Sequence, residues 1–227
     1  MISVVKAKTI AIVVIILFAV SLVISLPAKF VSTSPNIKYT VVIDAGHGGI
    51  DGGSSGVVTG VKESDLNLEY ANSLATLFKS ADFNVIMTRT TKNGLYNMFA
   101  ENKKKDDMMK RKDIIAYSKA DLVISIHMNS FSLESCKGAQ VFYKENDSVS
   151  KALASSIQEN FVLNIENARP KADKGDYFIL NCSSIPSVIV ECGFLSNQKE
   201  EAKLLKADYR EKLCYNIFAG ALNFLEG

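Results

Sequence analysis

Short runs of β-branched and aliphatic residues recur along this chain, with stretches of helical periodicity between them. That alternation constrains the fold more than any other feature. "YTVVIDA" (39–45), "NVIMT" (84–88), "DLVISIHM" (121–128), "AQVFY" (139–143), "YFIL" (177–180) and "PSVIVEC" (186–192) read as strands. Between the first two, "DLNLEYANSLATLFKS" (65–80) places Leu66, Tyr70, Leu74, Leu77 and Phe78 on one helical face, with Asp65 available as a cap. "DDMMKRKDIIAYSKA" (106–120), residues 147–163, "KEEAKLLKA" and the closing "DYREKLCYNIFAGALNFLE" also read as helices. Apolar strands alternating with helices imply an α/β domain of three layers, a mainly parallel or mixed sheet with helices on both faces. Ligands of such sheets gather at the carboxyl ends of the strands.

The amino terminus is a separate object. Lys6 and Lys8 precede "TIAIVVIILFAVSLVISL" (9–26), which carries no charge. A basic flank followed by an uninterrupted apolar stretch is the pattern of a secretory signal or signal anchor, and "SLPAK" offers no clean cleavage site. The expected division is residues 1–27 as signal or anchor, 28–38 as linker and 39–227 as the folded domain, held outside the membrane by residues 9–26. A chain of 227 residues, 48% of them apolar, suffices for one such domain with a substantial core.

Lys6 and Lys8 account for the whole net charge of +2, leaving 24 basic against 24 acidic residues. A balanced domain excludes the electrostatic footprint of a nucleic-acid binder. "KKKDDMMKRK" (103–112) is a local basic cluster, but acids interrupt it, and the expectation is a solvated helix face. Cys136, Cys182, Cys192 and Cys214 show no C-x-x-C spacing, which excludes zinc-finger and thioredoxin readings.

The chain has only two histidines, and both end apolar strands. His47 follows "VVIDA" inside a glycine-rich loop, "GHGGIDGG", and His127 ends "DLVISI". Glu191 ends "SVIV", where a glutamate is rarely buried without a partner. Two imidazoles and one carboxylate, with a fourth position open, make a catalytic zinc site. Glu63, Asp44, Asp51 and Glu191 are all candidates for the third ligand, and spacing alone does not choose between them.

"VVIDAGHGGIDGGSSG", "KESDLNLEYANSLATLF", "VIMTR", "ADLVISIHMNS" and "IPSVIVECGFLSNQKEE" together resemble the successive motifs of the zinc-dependent N-acetylmuramoyl-L-alanine amidases. The likeness runs in order from about Tyr39 to the carboxyl terminus. It implies one zinc ion per chain on His47, Glu63 and His127, with Glu191 as catalytic acid/base. The implied substrate is peptidoglycan, cut between the lactyl group of N-acetylmuramic acid and L-alanine. An exported single domain without wall-binding repeats resembles the spore-cortex amidases, which act before muramic-δ-lactam forms. That places the expected site of action outside the membrane, in the forespore or cortex region. The resemblance also implies an accessory or activating protein, which nothing in the sequence identifies.

Other readings fare less well. "GGSSG" (52–56) matches G-x-S-x-G but lacks the strand before and the helix after that a nucleophile elbow needs. No G-x-G-x-x-G is completed at "VVIDAGHGG". A zinc peptidase of another family, a vegetative wall-turnover or cell-separation amidase and an inactive wall-binding domain remain as alternatives. Residues 94–110 look longer than the usual connection and read as a lid, a partner surface or an excursion, with an excursion as the expectation. Cys192, facing away from Glu191 along a strand, reads as core packing.

Overall fold

The computed structural model describes residues 39–227; the anchor and linker expected over 1–38 lie outside the described residues. Within the described residues, no helix is long and apolar enough to cross a membrane. The elements run β1 (Thr40–Ala45), α1 (Glu63–Ser80), β2 (Asn84–Met87), α2 (Lys103–Tyr117), β3 (Leu122–Asn129), β4 (Gln140–Tyr143), α3 (Ser148–Asn164), β5 (Asp173–Lys174), a 3₁₀ turn (Phe178–Asn181), β6 (Ser187–Phe194), α4 (Gln198–Leu204) and α5 (Ala207–Glu226). This is the expected α/β architecture.

The six strands form one sheet in the order β2-β1-β3-β6-β4-β5. β2, β1, β3 and β6 are mutually parallel, and β4 runs antiparallel to β6, so the sheet is mixed. From β1 the chain crosses first to β2 on one side and then to β3 on the other. The carboxyl ends of β1 and β3 therefore flank a topological switch point, where open α/β sheets form their crevice.

Alternate residues of the central strands face opposite layers, and the two layers differ in depth. Val41, Ile43, Ile124, Ile126, Val190 and Cys192 join the larger core with apolar residues of α1, α3 and α5. Val42, Val123 and Ile189 face a smaller cluster closed by Ile115 of α2 and by Ile179, Leu180 and Cys182 at the 3₁₀ turn. By alternation, Asp44, Ser125, His127 and Glu191 share this thinly covered face. Cys192 points into the deep core, as expected of a neighbour of Glu191 along a strand.

Three local expectations are corrected. Residues 177–180 are no strand. Both sides of β6 are already paired, with β3 and β4, so the segment coils into a 3₁₀ turn and buries Ile179 and Leu180 over the sheet. Asp65 does not cap α1: the helix begins at Glu63, with Lys62 at the cap position, and Asp65 lies in the first turn. The 103–112 cluster is solvated only in part, because Asp107 and Arg111 are buried against the end of β1. Cys182, Cys192 and Cys214 are buried thiols and Cys136 is half-buried; none is in a disulfide.

Candidate metal centre

β1 ends at Ala45, and the loop that follows places His47 beside the ends of β1 and β3. His47 adopts a left-handed backbone, with φ at 62°. Two of its glycine neighbours are required by close approach. A Cβ on Gly46 would lie 2.3 Å from the His127 ring, and one on Gly53 would lie 2.5 Å from Glu63 Oε2 and 2.8 Å from His47 Cδ2. Gly53 also has φ +65°, a conformation glycine adopts at little cost. The glycines of this loop make room for the clustered side chains.

Glu63, the first residue of α1, reaches both histidines with one oxygen. Its Oε1 lies 3.1 Å from His47 Nε2 and 3.0 Å from His127 Nδ1. Asn67, one helical turn later, donates to the same oxygen at 3.3 Å and to the Gly46 carbonyl at 3.1 Å. The other oxygen, Oε2, accepts from the backbone N–H of Ser54 at 2.8 Å. Burial raises the Glu63 carboxyl, but hydrogen bonds and charge from His127 and His47 outweigh it and hold the group well below the usual carboxylate range. Burial lowers the His47 imidazole, and Glu63 and Asp51 more than compensate, raising it.

One donor atom from each of His47, Glu63 and His127 lies within 4.8 Å of the others. Two imidazole nitrogens and a carboxylate oxygen, closely cradled by glycine backbone, fit the donor set of a three-ligand zinc site. Asp44, Asp51 and Glu191, the other sequence candidates, do not join this group. Asp44 is buried and bound by Arg111, Thr88 and Ser125 at 2.6–2.7 Å. Asp51 stands on the outer side of His47, its Oδ1 3.1 Å from Nδ1.

Glu191 stands beside His127 as its register partner across β3 and β6. It is 8% exposed, and its Oε2 has no hydrogen-bond partner. Burial raises its carboxyl to about 7; His127 and His47 pull it down and Glu63 pushes it up. A buried carboxyl with an uncommitted oxygen, close to neutrality, is equipped to exchange protons.

Sequence reasoning missed the scaffold beneath the centre. Two of the chain's four arginines hold the backbone that carries His47. Arg111 donates to Asp44 Oδ1 at 2.6 Å, to the Ala45 carbonyl at 2.8 Å and to the His47 carbonyl at 2.5 Å. Arg89 donates to the carbonyls of Ala45, Gly46 and Ser64, each at 2.8 Å. The scarcity of arginine beside abundant lysine was the only signal available. Nor is the 94–110 segment an idle excursion. Tyr96, Lys104, Asp107 and Met108 line a cleft of about 200 Å³ whose other wall includes Tyr177 and Phe178 and whose floor reaches Glu191 and His127.

Comparison with known proteins agrees with this geometry. A sequence profile described as N-acetylmuramoyl-L-alanine amidase matches residues 41–223. The chain is 33% identical over 189 residues to the germination-specific N-acetylmuramoyl-L-alanine amidase of Bacillus subtilis, covering 81% of this chain and 78% of that protein. Among solved structures, the CwlD amidase of Clostridioides difficile in complex with the GerS lipoprotein superposes with a TM-score of 0.79 at 36% identity, over 82% of this chain and 98% of that one. An N-acetylmuramoyl-L-alanine amidase from Clostridium difficile 630 gives 0.75 at 30% identity, over 83% and 97%.

Proposed function

This chain belongs to the N-acetylmuramoyl-L-alanine amidase family, and on that premise we propose that its peptidoglycan hydrolysis runs on one zinc ion held by His47, Glu63 and His127, with Glu191 as acid/base. The observation that carries the reading is the clustering of the three donors, two of which, His47 and His127, line one cleft with Glu191, whose Oε2 is unpartnered. Zinc, when bound, would supply Lewis acidity at the scissile carbonyl and make water a nucleophile near neutral pH, with a pKa of about 7.

The chain's own residues supply the rest. Glu191 Oε2 accepts the proton of the attacking water, whose oxygen bonds to the lactyl carbonyl carbon. The amide C–N bond breaks, and Glu191 returns the proton to the departing L-alanine nitrogen, leaving a free lactyl carboxyl and a free amine. Its uncommitted Oε2, in a buried setting that by itself raises the carboxyl, suits Glu191 to take a proton and give it back. Tyr177, Phe178 and Met108 give the cleft an apolar lining beside Glu191.

The finer biology belongs to the same proposal. The likeness to a germination-specific amidase supports a role in spore-cortex maturation, ahead of muramic-δ-lactam formation. The domain, residues 39–227, would act outside the membrane, tethered through residues 9–26. The structural relative solved with a lipoprotein supports an accessory lipoprotein partner here.

The test is digestion of peptidoglycan by the full-length chain, with mass spectrometry of the products. The expected products are stem peptides with a free L-alanine amino terminus and glycans with intact lactyl groups. Glu191→Gln should lower kcat by about 100- to 10,000-fold while retaining zinc. Cleavage elsewhere in the stem peptide would favour a zinc peptidase. Spores of a strain lacking the protein should lack muramic-δ-lactam; normal lactam content would return the role to vegetative wall turnover.

A further inference from the structure

The two histidines of the centre come from different kinds of backbone. His127 sits on a strand, its ring packed against Gly46, its Nδ1 facing Glu63. His47 stands in a glycine loop, its side chain 22% exposed, with only Nε2 directed at Glu63. The two imidazoles are about equally exposed, 22% and 20%, and each packs against a glycine, so what distinguishes His47 is the group facing its other ring nitrogen.

That group is Asp51. A tight turn brings it back to His47: Gly48 N–H donates to the Asp51 carbonyl at 2.8 Å, and Asp51 N–H to the Gly48 carbonyl at 3.2 Å. Asp51 Oδ1 then lies 3.1 Å from His47 Nδ1 and accepts from Gly53 N–H at 3.2 Å. Its other oxygen is 3.3 Å from Lys104 Nζ, on the first turns of α2. Each carboxylate oxygen is thus engaged, and the carboxylate is anchored on the side of the ring away from Glu63.

We propose that Asp51 is the positioning residue of the metal centre, accepting a hydrogen bond from His47 Nδ1–H and thereby fixing the tautomer that leaves Nε2 free as the ligand atom. The proposal rests on the zinc-site reading given above. Carboxylates or carbonyls in this relation to a ligating imidazole orient the ring and raise its basicity, and their loss weakens metal binding by about 10- to 100-fold. Lys104 fixes the far oxygen and so ties this orientation to α2.

The test uses the full-length chain, stripped of metal, with the zinc Kd measured by competition against a chromogenic chelator. Asp51→Ala should bind zinc about 10- to 100-fold more weakly than the parent. Asp51→Asn, which keeps an acceptor oxygen towards Nδ1, should recover most of the loss. The thermal midpoints of the stripped forms should coincide, because the Asp51 side chain is 28% exposed. Parent-like zinc affinity in Asp51→Ala would overturn the positioning role and leave the zinc site intact. So would Asp51→Asn as defective as Asp51→Ala, or a midpoint that falls with affinity. A folded parent chain that takes up no zinc would remove the site and the proposal together.

Discussion

At the scale of single residues, buried charge is where most is at stake. Arg111 and Asp44 are each about 2% exposed and face each other at 2.6 Å. Removing one partner of such a pair strands the other, so Arg111→Met should cost about 3–5 kcal/mol in urea unfolding. Two carboxyls give opposite pH dependences. Burial raises Asp44, but Arg111, Ser125 and Thr88 outweigh it and hold it at about 2, against 3.8 ordinarily. Folding therefore favours its ionised form; that stability is present above pH 3.8 and is lost as pH falls towards 2. Glu191 is raised from 4.5 to about 7, so folding favours its protonated form. In metal-stripped protein that contribution is full below pH 4.5 and is lost as pH climbs to 7. In metal-stripped protein Glu63, also held low, shares the acid slope and His47, also raised, shares the upper one, so Glu191→Gln should reduce the upper slope in urea midpoints and leave the acid slope. The sequence displayed His47, Glu63, His127 and Glu191 because each interrupts or borders an apolar run that is easy to read, although β3 and β6 continue past His127 and Glu191 to Asn129 and Phe194. It hid the Arg111–Asp44 pair, because 67 residues separate them and only the rotation of α2 about its axis brings them together.

At the scale of elements, the helix starts show what local chemistry does and does not announce. Asp147 accepts from the N–H groups of Val149 and Ser150 at the start of α3, and Asp147→Ala should cost about 1 kcal/mol by thermal unfolding. Lys62 provides no such cap for α1, leaving Glu63 free to turn its carboxylate towards the histidines. The cap expected at Asp65 is absent because the helix starts two residues earlier, at Glu63, which puts Asp65 in the first turn. Gly53→Ala is the corresponding loop test. Its left-handed backbone makes a side chain cost about 1–2 kcal/mol, and the clash with Glu63 should weaken zinc binding as well. The 177–180 segment was misread because apolar, aromatic residues suit a strand and a capping turn equally. Only the pairing already satisfied around β6 decides between them.

At the scale of the molecule, the sheet is thick on one side and thin on the other. The deep core against α1, α3 and α5 does not include the metal centre, so chelation should lower the melting temperature without unfolding the protein. Zinc at one hundred times its Kd should add about 2.7 kcal/mol, read as a rise in midpoint on titration. The alternating pattern along the chain made the α/β class legible, but not which face would be lightly covered. Both faces of these strands begin apolar, one of them turns polar at Asp44, Ser125, His127 and Glu191, and the rest of the difference lies in how many helices the connections deliver to each.

That imbalance also sets a clock. Amides of α2 and the 3₁₀ turn are secured mainly by one small cluster and by the Arg111 ties, whereas those of α1 and α5 open only with the main core. Native-state hydrogen exchange should divide accordingly, with α2 exchanging first and the deep helices near the global limit. The cleft then lies on the seam between the half expected to exchange quickly and the slower half, where the β1 loop carries His47 and β3 carries His127.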